Sequence, residues 1–395
     1  MRRYLQQAIQ QDLAQKMVFV AGPRQVGKTT LARQVLESVE SGCYLSWDRR
    51  EDRSEIRAAR WPPGSPALVV LDELHKWRPW KRWLKGEFDA HRESVRFLVT
   101  GSARLDIYRR GGDSLQGRYH HYRLHPLSLH EVQAPASAFE IEPGQALAIA
   151  RAPGGRPGDR EALEALLRFG GFPEPFLARS ERAHRRWQKD RLDRFFREDV
   201  RDLEAVRDLA AFELLAEEIA RRVGSPLSLN ALRENLEVSH KALTHWMEVL
   251  ERLYHVVRVR PFASRAVASL KKMPKAYLWD WSQVSAPPAR FENLVALHLL
   301  KLCHLLEDRD GHRVELRYLR DRTGREVDFL VTLDNRPWFA VEVKTSERAI
   351  DPSLVYFRDR LKIPHAYQVV LDLDRGFIEN GVHCLPAVDF LSALA

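Results

Sequence analysis

Hydrophobic positions in the first third of the chain come as short unbroken runs rather than as alternations. Residues 17–21, 67–71 and 97–99 are each too uniform for a half-exposed strand, which predicts central strands of a parallel sheet covered on both faces. Between the first two runs, Leu31, Ala32, Val35 and Leu36 are spaced for a helix. Trp77, Trp80 and Trp83 recur every three residues and favour one packed face over a base-stacking platform. Over 133–160 the composition turns to Ala, Pro and Gly, which predicts a linker or long loop. Helical spacing returns over 161–222, with a break at 170–175.

Farther on, a short helix over 229–236, a turn at 237–239 with Ser239 as N-cap, and a helix over 240–253 lead into a strand over 254–260. With the basic segment behind it, this reads as a winged helix over 223–275. Lys241, Thr244, His245 and Glu248 form one face of its longer helix, opposite Leu243, Trp246, Val249 and Leu250. The last stretch, 276–395, opens with a strand over 276–280 and a helix over 291–300. Two strands follow, and in the second, Val341-Glu342-Val343-Lys344 alternates faces.

The first apolar run ends in Gly22-Pro23-Arg24-Gln25-Val26-Gly27-Lys28-Thr29, with Thr30 opening the helix. Strand, glycine-bracketed turn and Lys-Thr are the geometry a triphosphate needs. The backbone N–H groups curl inward, Lys28 meets β/γ charge, Thr29 offers a hydroxyl to Mg²⁺, and the helix N-terminus adds its dipole. The second run ends in Asp72-Glu73. Asp72 would complete the Mg²⁺ shell and Glu73 would polarise an attacking water. The third ends in Thr100-Gly101-Ser102, where Thr100 or Ser102 could reach the γ-phosphate, with a helix-capping role for Ser102 as the alternative. Arg118 follows Gly117 on a loop and could project into a neighbouring subunit's γ-phosphate; pairing with a local carboxylate is the competing reading.

In the last segment Asp328 and Glu342 are separated by the length of a hairpin, with Lys344 two residues on and Glu292 on a preceding helix. This is the constellation of a metal-dependent phosphodiesterase. Glu292, Asp328 and Glu342 would bind Mg²⁺, and Lys344 would orient or deprotonate water. A solvated strand face carrying a Glu–Lys pair is the plainer reading.

Composition narrows the partners. The chain of 395 residues carries a formal net charge of +9, with arginine in excess over lysine, which favours an anionic partner such as nucleic acid. Bases gather at Arg182, Arg185, Arg186, Lys189, Arg191, Arg194 and Arg197, and again at Arg258, Arg260, Arg265, Lys271, Lys272 and Lys275. No run approaches a membrane span, and Cys43, Cys303 and Cys384 are isolated, so a reducing cytoplasm without disulfide or zinc is expected.

In these motifs the chain resembles the bacterial and archaeal AAA-type P-loop ATPases that carry a C-terminal domain of unknown function related to PD-(D/E)xK nucleases. Besides the stretches above, Pro126-Leu127-Ser128-Leu129-His130-Glu131, Gly170–Glu174 and Phe291–Val295 carry the resemblance. It implies ATP rather than GTP and Mg²⁺ as cofactors, a polar sensor at Thr100 or Ser102, and a finger at Arg118. The implied architecture is α/β: an ATPase core over 1–132, a helical lid over 161–222, a winged-helix middle, and a nuclease-like α/β end. Two departures stand out: Trp281-Ser282 follows Asp280 where relatives tend to show Thr-Gly, and Arg197-Glu198-Asp199 orders its charges unusually. The expectation is a homo-oligomeric ring, hydrolysing ATP to move or remodel duplex or branched DNA, with cleavage by Asp328, Glu342 and Lys344 as an optional activity. The rival expectation is a slow ATP-dependent switch whose winged-helix and nuclease-like modules only bind DNA or protein.

Overall fold

The structure is a computed structural model; it describes residues 1–63, 66–101, 115–133, 139, 141–147, 158–200, 206, 208–263 and 273–395. Ser102, Arg265, Lys271 and Lys272 lie outside the described residues. The chain divides into two compact units, Met1–Pro126 with Pro135–Ala138, and Leu127–Ala134 with Phe139–Ala395.

The first unit is built on the unbroken apolar runs. Strands β1 (Met17–Ala21), β2 (Gly42–Ser46), β3 (Ala67–Asp72), β4 (Val95–Thr100) and β5 (Tyr119–Arg123) form a sheet in the order β2-β3-β4-β1-β5. All its pairings are parallel. Both β1 and β3 are buried at every position, which is why their sequences do not alternate. Strand β4 lies between β1 and β3, so the phosphate loop and the acidic strand end are not neighbours but flank a third strand end. The tryptophans pack against the core. Trp80 is buried at the start of helix Trp80–His91, Trp83 follows it, and Trp77 sits in the turn before the helix, stacked on Trp47 with ring centroids 4.8 Å apart.

The second unit joins regions that the sequence separates. Its sheet has eight strands in the order β12-β13-β11-β10-β9-β8-β6-β7. Here β6 (Val256–Pro261), from the segment expected as a winged helix, pairs antiparallel with β7 (Lys275–Leu278), which was expected to open the last domain. They extend the C-terminal sheet because β6 pairs parallel with β8 (Val314–Arg320) at Arg260–Arg317. The long hairpin β9 (Glu326–Leu333) and β10 (Arg336–Lys344) lies at the centre, with Val341 opposite Phe329, so Asp328 and Glu342 fall side by side. The strands β11 (His365–Val370), β12 (Phe377–Glu379) and β13 (Val382–Pro386) complete the sheet.

Helices Leu229–Asn235 and His240–Arg252 precede β6, each capped by a serine: Ala231 N–H donates to Ser228 Oγ and Ala242 N–H to Ser239 Oγ. Leu243, Trp246, Met247, Val249 and Leu250 are buried, leaving Lys241 and Glu248 exposed. The helical middle is tied to the C-terminal part by buried polar contacts. Trp281 Nε1 donates to Leu166 O at 2.7 Å, and Arg191 pairs with the buried Asp280 at 3.5 Å while lying 4.2 Å from the Phe172 ring centroid. Asp280 also caps the turn Trp281–Gln283, accepting from Ser282 N and Oγ, so the Trp-Ser departure is absorbed locally.

The 24-residue helix Pro287–Asp310 carries a second anchor. Lys301, 1% exposed, donates to Ser128 Oγ at 2.8 Å and pairs with the buried Glu131. His298 accepts from Leu129 N–H through Nε2 at 3.1 Å and donates through Nδ1 to Leu294 O at 2.8 Å. Both His298 nitrogens are thus committed in the neutral state. Burial pushes its pKa down to about 3; the nearby Lys301 ammonium adds to this, and Glu131 and the Leu294 carbonyl oppose it. Burial, with Arg191 beside it, does the same to His255, also to about 3, where the ring stacks 4.7 Å from Phe195.

A folded-state pKa below the unfolded value means the unfolded chain binds the extra proton. The stability these histidines contribute is therefore complete above about pH 6.5 and is lost as pH falls from there toward 3. Denaturant titrations of the second unit's transition should show stability falling between pH 6 and 4, with His298 contributing up to about 1.4 kcal/mol per pH unit. His298→Gln should be less stable at pH 7 but show a shallower decline; equal slopes in both proteins would remove His298 from this account.

Candidate nucleotide site and a buried carboxylate cluster

The nucleotide-site residues lie at the carboxyl ends of β1, β3 and β4: the glycine-bracketed loop follows β1, and Asp72 and Thr100 are the last residues of β3 and β4. Gly22 leaves β1 so close to the β5 exit that a Cβ there would lie 2.5 Å from Leu124 O. Gln25 and Gly27 take φ of 62° and 100°, which turns successive N–H groups into the loop. Helix Lys28–Leu36 starts at once, with Gly27 as its N-cap. Lys28 is buried and its Nζ donates to Gly22 O at 2.9 Å and Pro23 O at 2.7 Å, folded onto the loop that a phosphate would fill. Arg24 is half-buried, and Thr29 and Thr30 are exposed at the helix start.

Asp72 gathers the site. One carboxylate oxygen accepts from Thr29 Oγ1 at 3.0 Å and from the Tyr44 hydroxyl, and the other accepts from Thr100 Oγ1. Among the described residues no Lys, Arg or His pairs with this carboxylate, which is 6% exposed. A cradle that a Cβ would close, a hydroxyl on the first helical turn and a buried acid lacking a protein cation fit Mg²⁺ with a triphosphate. Tyr44 was not expected from the sequence. Burial and the Asp72 carboxylate hold its hydroxyl pKa well above the ordinary tyrosine value, so it stays a donor.

Glu73 takes a left-handed φ of 56°, unusual for a residue with a side chain, and its N–H donates to Thr100 O at 2.9 Å. Its carboxylate lies 3.2 Å from Lys76 Nζ, which also holds Asp48. Arg3 is a further residue without a motif. Its buried guanidinium donates to Val26 O at 2.7 Å and to His125 O, bracing the phosphate loop from the N-terminal segment.

Arg118 precedes β5, at the amino end of the sheet, while Gly22 follows the carboxyl end of the neighbouring parallel strand. The five-residue strand separates them by roughly 16 Å. Arg118 pairs with Asp89 through Nε at 2.7 Å and Nη2 at 3.0 Å, the local carboxylate of the alternative reading.

In the second unit the hairpin brings Asp328 and Glu342 together as spaced, and Glu292 joins them, but around a residue the sequence reading assigned elsewhere. Lys275, grouped above with the basic cluster, is 1% exposed and does not contribute to a surface patch. Its Nζ lies 2.8 Å from Glu326 Oε1, 3.2 Å from Asp328 Oδ1 and 3.3 Å from Glu292 Oε1. Burial opposes its charge, yet Asp328, Glu292 and Glu326 outweigh that and hold the ammonium above its ordinary pKa. Tyr277 donates to Glu292 Oε1 at 2.7 Å. Asp328 Oδ2 accepts from Val343 N–H and Glu342 Oε2 from Asp328 N–H. Lys344 pairs with Glu342 at 2.9 Å and Asp351 at 3.0 Å, so it is a bound ammonium rather than a proton acceptor. Among the described residues no group of three or more His, Cys, Asp or Glu is arranged to hold a metal ion. Of the three acids expected to hold Mg²⁺, Glu292 and Asp328 thus share Lys275 with Glu326, while Glu342 lies beside Asp328 and pairs with Lys344. The one sequence signal was that Lys275 and Tyr277 share a face of an otherwise apolar strand.

Of the basic residues on helix Glu181–Arg194 and the turn Phe195–Val200, Arg182, Arg185, Arg186, Lys189, Arg194 and Arg197 are exposed; Arg191 is the inward one. No helix among the described residues is long and apolar enough to cross a membrane.

Residues 14–133 match the model of an AAA domain family. Residues 160–286 and 289–390 match two domains of unknown function, DUF8612 and DUF4143. An uncharacterized protein of Mycobacterium tuberculosis is 23% identical over 351 residues, covering 86% of this chain and 72% of that protein. One of Methanocaldococcus jannaschii is 22% identical over 370 residues, covering 85% and 79%. Among solved structures, the Thermotoga maritima RuvB Holliday junction branch migration motor is 18% identical, with 64% of this chain and 85% of that one covered at a TM-score of 0.24. The first unit is accordingly a parallel P-loop sheet of AAA type, followed by an additional α/β unit.

The approach of Gly22 to Leu124 O makes a strict demand. Gly22→Ala should weaken binding of a fluorescent ATP analogue roughly tenfold or more while leaving the second unit's unfolding transition in place. Unchanged affinity would show that the loop can reopen and that this contact does not shape the site.

Proposed function

We propose that the chain is a Mg²⁺-dependent ATP hydrolase of AAA type that acts as a homo-oligomer and uses its second unit to hold DNA. The observation carrying this reading is the convergence of Thr29, Thr100 and Tyr44 on Asp72 beside the Lys28 cradle. Lys28 would leave its loop carbonyls for the β/γ-phosphates, and Thr29 and Asp72 would hold Mg²⁺. The ion's part is to neutralise charge on the β/γ oxygens. Glu73, fixed by its own backbone bond to Thr100 and by Lys76, would orient the attacking water and accept its proton. Thr100, on the strand between, would register whether the γ-phosphate is present. Arg118, at the far end of its own β5, is suited to a neighbouring protomer's phosphate rather than its own. The exposed pair with Asp89 is the kind that exchanges readily on assembly.

DNA is the favoured partner because the outward bases from Arg182 to Arg197 lie on one continuous helical stretch and the whole chain is cationic. A second reading, a slow nucleotide-dependent switch whose second unit only binds, is favoured by Lys275, which fills the carboxylate cluster where cleavage chemistry would be housed.

Steady-state ATPase assays with Mg²⁺ separate the two. The hydrolase reading expects no turnover in Lys28→Ala and severalfold stimulation by one form among single-stranded, duplex, forked and four-way DNA. It also expects Arg118→Ala to be inactive alone and partly restored when mixed with Lys28→Ala, since mixed interfaces then pair an intact loop with an intact arginine. A slow rate indifferent to every DNA would favour the switch, and full activity in Lys28→Ala would overturn both.

A further inference from the structure

We infer that Lys275 is a built-in substitute for a divalent cation, so that the second unit takes no metal at Glu292, Asp328 and Glu342 and serves as a fixed, metal-free centre. The nuclease-like arrangement asks these carboxylates to turn oxygens toward a shared ion at about 2.0–2.1 Å for Mg²⁺, with water completing an octahedron. Here the Lys275 ammonium takes up Glu292 and Asp328 of that set, its three donors matching three carboxylates, one each from Glu292, Glu326 and Asp328, while the remaining acid, Glu342, is held by Lys344.

The remaining oxygens are largely spoken for. Asp328 Oδ2 takes Val343 N–H at 3.0 Å, Glu342 Oε1 takes Lys344, Glu342 Oε2 takes Asp328 N–H at 3.3 Å, and Glu326 Oε2 takes Arg320. Lys275, Lys344 and Arg320 thus offset most of the charge of Glu292, Glu326, Asp328 and Glu342 without any ion. An incoming cation would have to expel a buried ammonium that holds three partners, and the expelled side chain has a strand-fixed backbone. Lys275 is the residue opposite Val259 in the β6–β7 pair.

Lack of access does not explain this preference. A cleft of about 290 Å³, lined in part by Gly224, Ser225, Glu292, Lys344 and Thr345, opens beside the cluster. The same lysine joins elements distant in sequence: β7, helix Pro287–Asp310 and β9 all end on its Nζ. The segment leading into the helix–turn–helix closes over it, with Gly224 N–H on Ala276 O and Leu227 N–H on Pro274 O. A Cβ at Gly224 would lie 2.7 Å from Glu292 Oε2, so this segment depends on the acid staying where Lys275 and Tyr277 hold it.

The test is Mn²⁺ binding by the full chain without nucleotide, read from the free-ion paramagnetic resonance signal. The Thr29–Asp72 pair can bind Mn²⁺ equally in all variants, so the comparisons are differences. Wild type and Asp328→Asn should bind the same number of ions. Lys275→Ala should bind one more, lost again in Lys275→Ala/Asp328→Asn, and Mn²⁺ should raise its melting temperature by several degrees more than that of wild type. An ion that wild type holds and Asp328→Asn loses overturns the proposal. A folded Lys275→Ala that gains no ion also overturns it, because the ammonium would then not be standing in a cation's place. If Lys275→Ala folds only when Mn²⁺ is supplied, the substitution is upheld directly. If it does not fold at all, wild type against Asp328→Asn still decides whether this centre takes an ion.

Discussion

A buried carboxylate that no cation among the described residues pairs with lies at the heart of the first unit. Asp72 ends a strand that is covered on both faces, and three hydroxyls from three different elements close on it. Thr29 belongs to the helix behind the phosphate loop, Tyr44 to β2 and Thr100 to β4, so one side chain sets the distance between loop and sheet. Hydroxyls satisfy hydrogen bonds but do not cancel charge, and an ion in low dielectric without a counter-charge is costly. Lys28, the nearby cation of the motif, is turned to the loop's own carbonyls. The site is therefore complete in hydrogen bonding and incomplete in charge, a condition that a divalent ion with a polyphosphate would correct on both sides at once.

The second unit solves the same problem the opposite way. Four acids meet on and around the β9–β10 hairpin, and the chain brings two ammonium groups to them, Lys275 to Glu292, Glu326 and Asp328 and Lys344 to Glu342. The elements can be alike in sequence, an acid ending or alternating along an apolar strand, while the physical outcome differs. In one centre no described cation meets the acid, and in the other most of the acids' charge is met by bases of the chain itself.

Much of this was legible in the residues because it is local. The phosphate loop is set by contiguous positions, the burial of β1 and β3 by uninterrupted apolar runs, and the Asp328–Glu342 pairing by hairpin length and a period of two. Ser239 announced its cap for the same reason. What was missed depends on pairing across long separations. Lys275 looks like one more base in a basic stretch until β7 is placed against a helix and a strand up to 53 residues away. The strand over 254–260 looks like part of a separate middle segment until β6 meets β7 and β8. Tyr44 and Arg3 carry no motif because what matters is the carboxylate or carbonyl that the fold delivers to them.

The passage between the units shows how local and non-local constraints combine. His125 O is held by Arg3, which also holds Val26 O in the phosphate loop. Two residues later, Leu127 N–H is bonded to Gly171 O, and Ser128, Leu129 and Glu131 are bound by Lys301 and His298. The motif Pro126–Glu131 is thus explained by what it is fastened to: its serine and glutamate meet a buried lysine, and its backbone meets a histidine that must stay neutral. Between His125 and Leu127 stands Pro126, which has no N–H to place and whose φ is fixed.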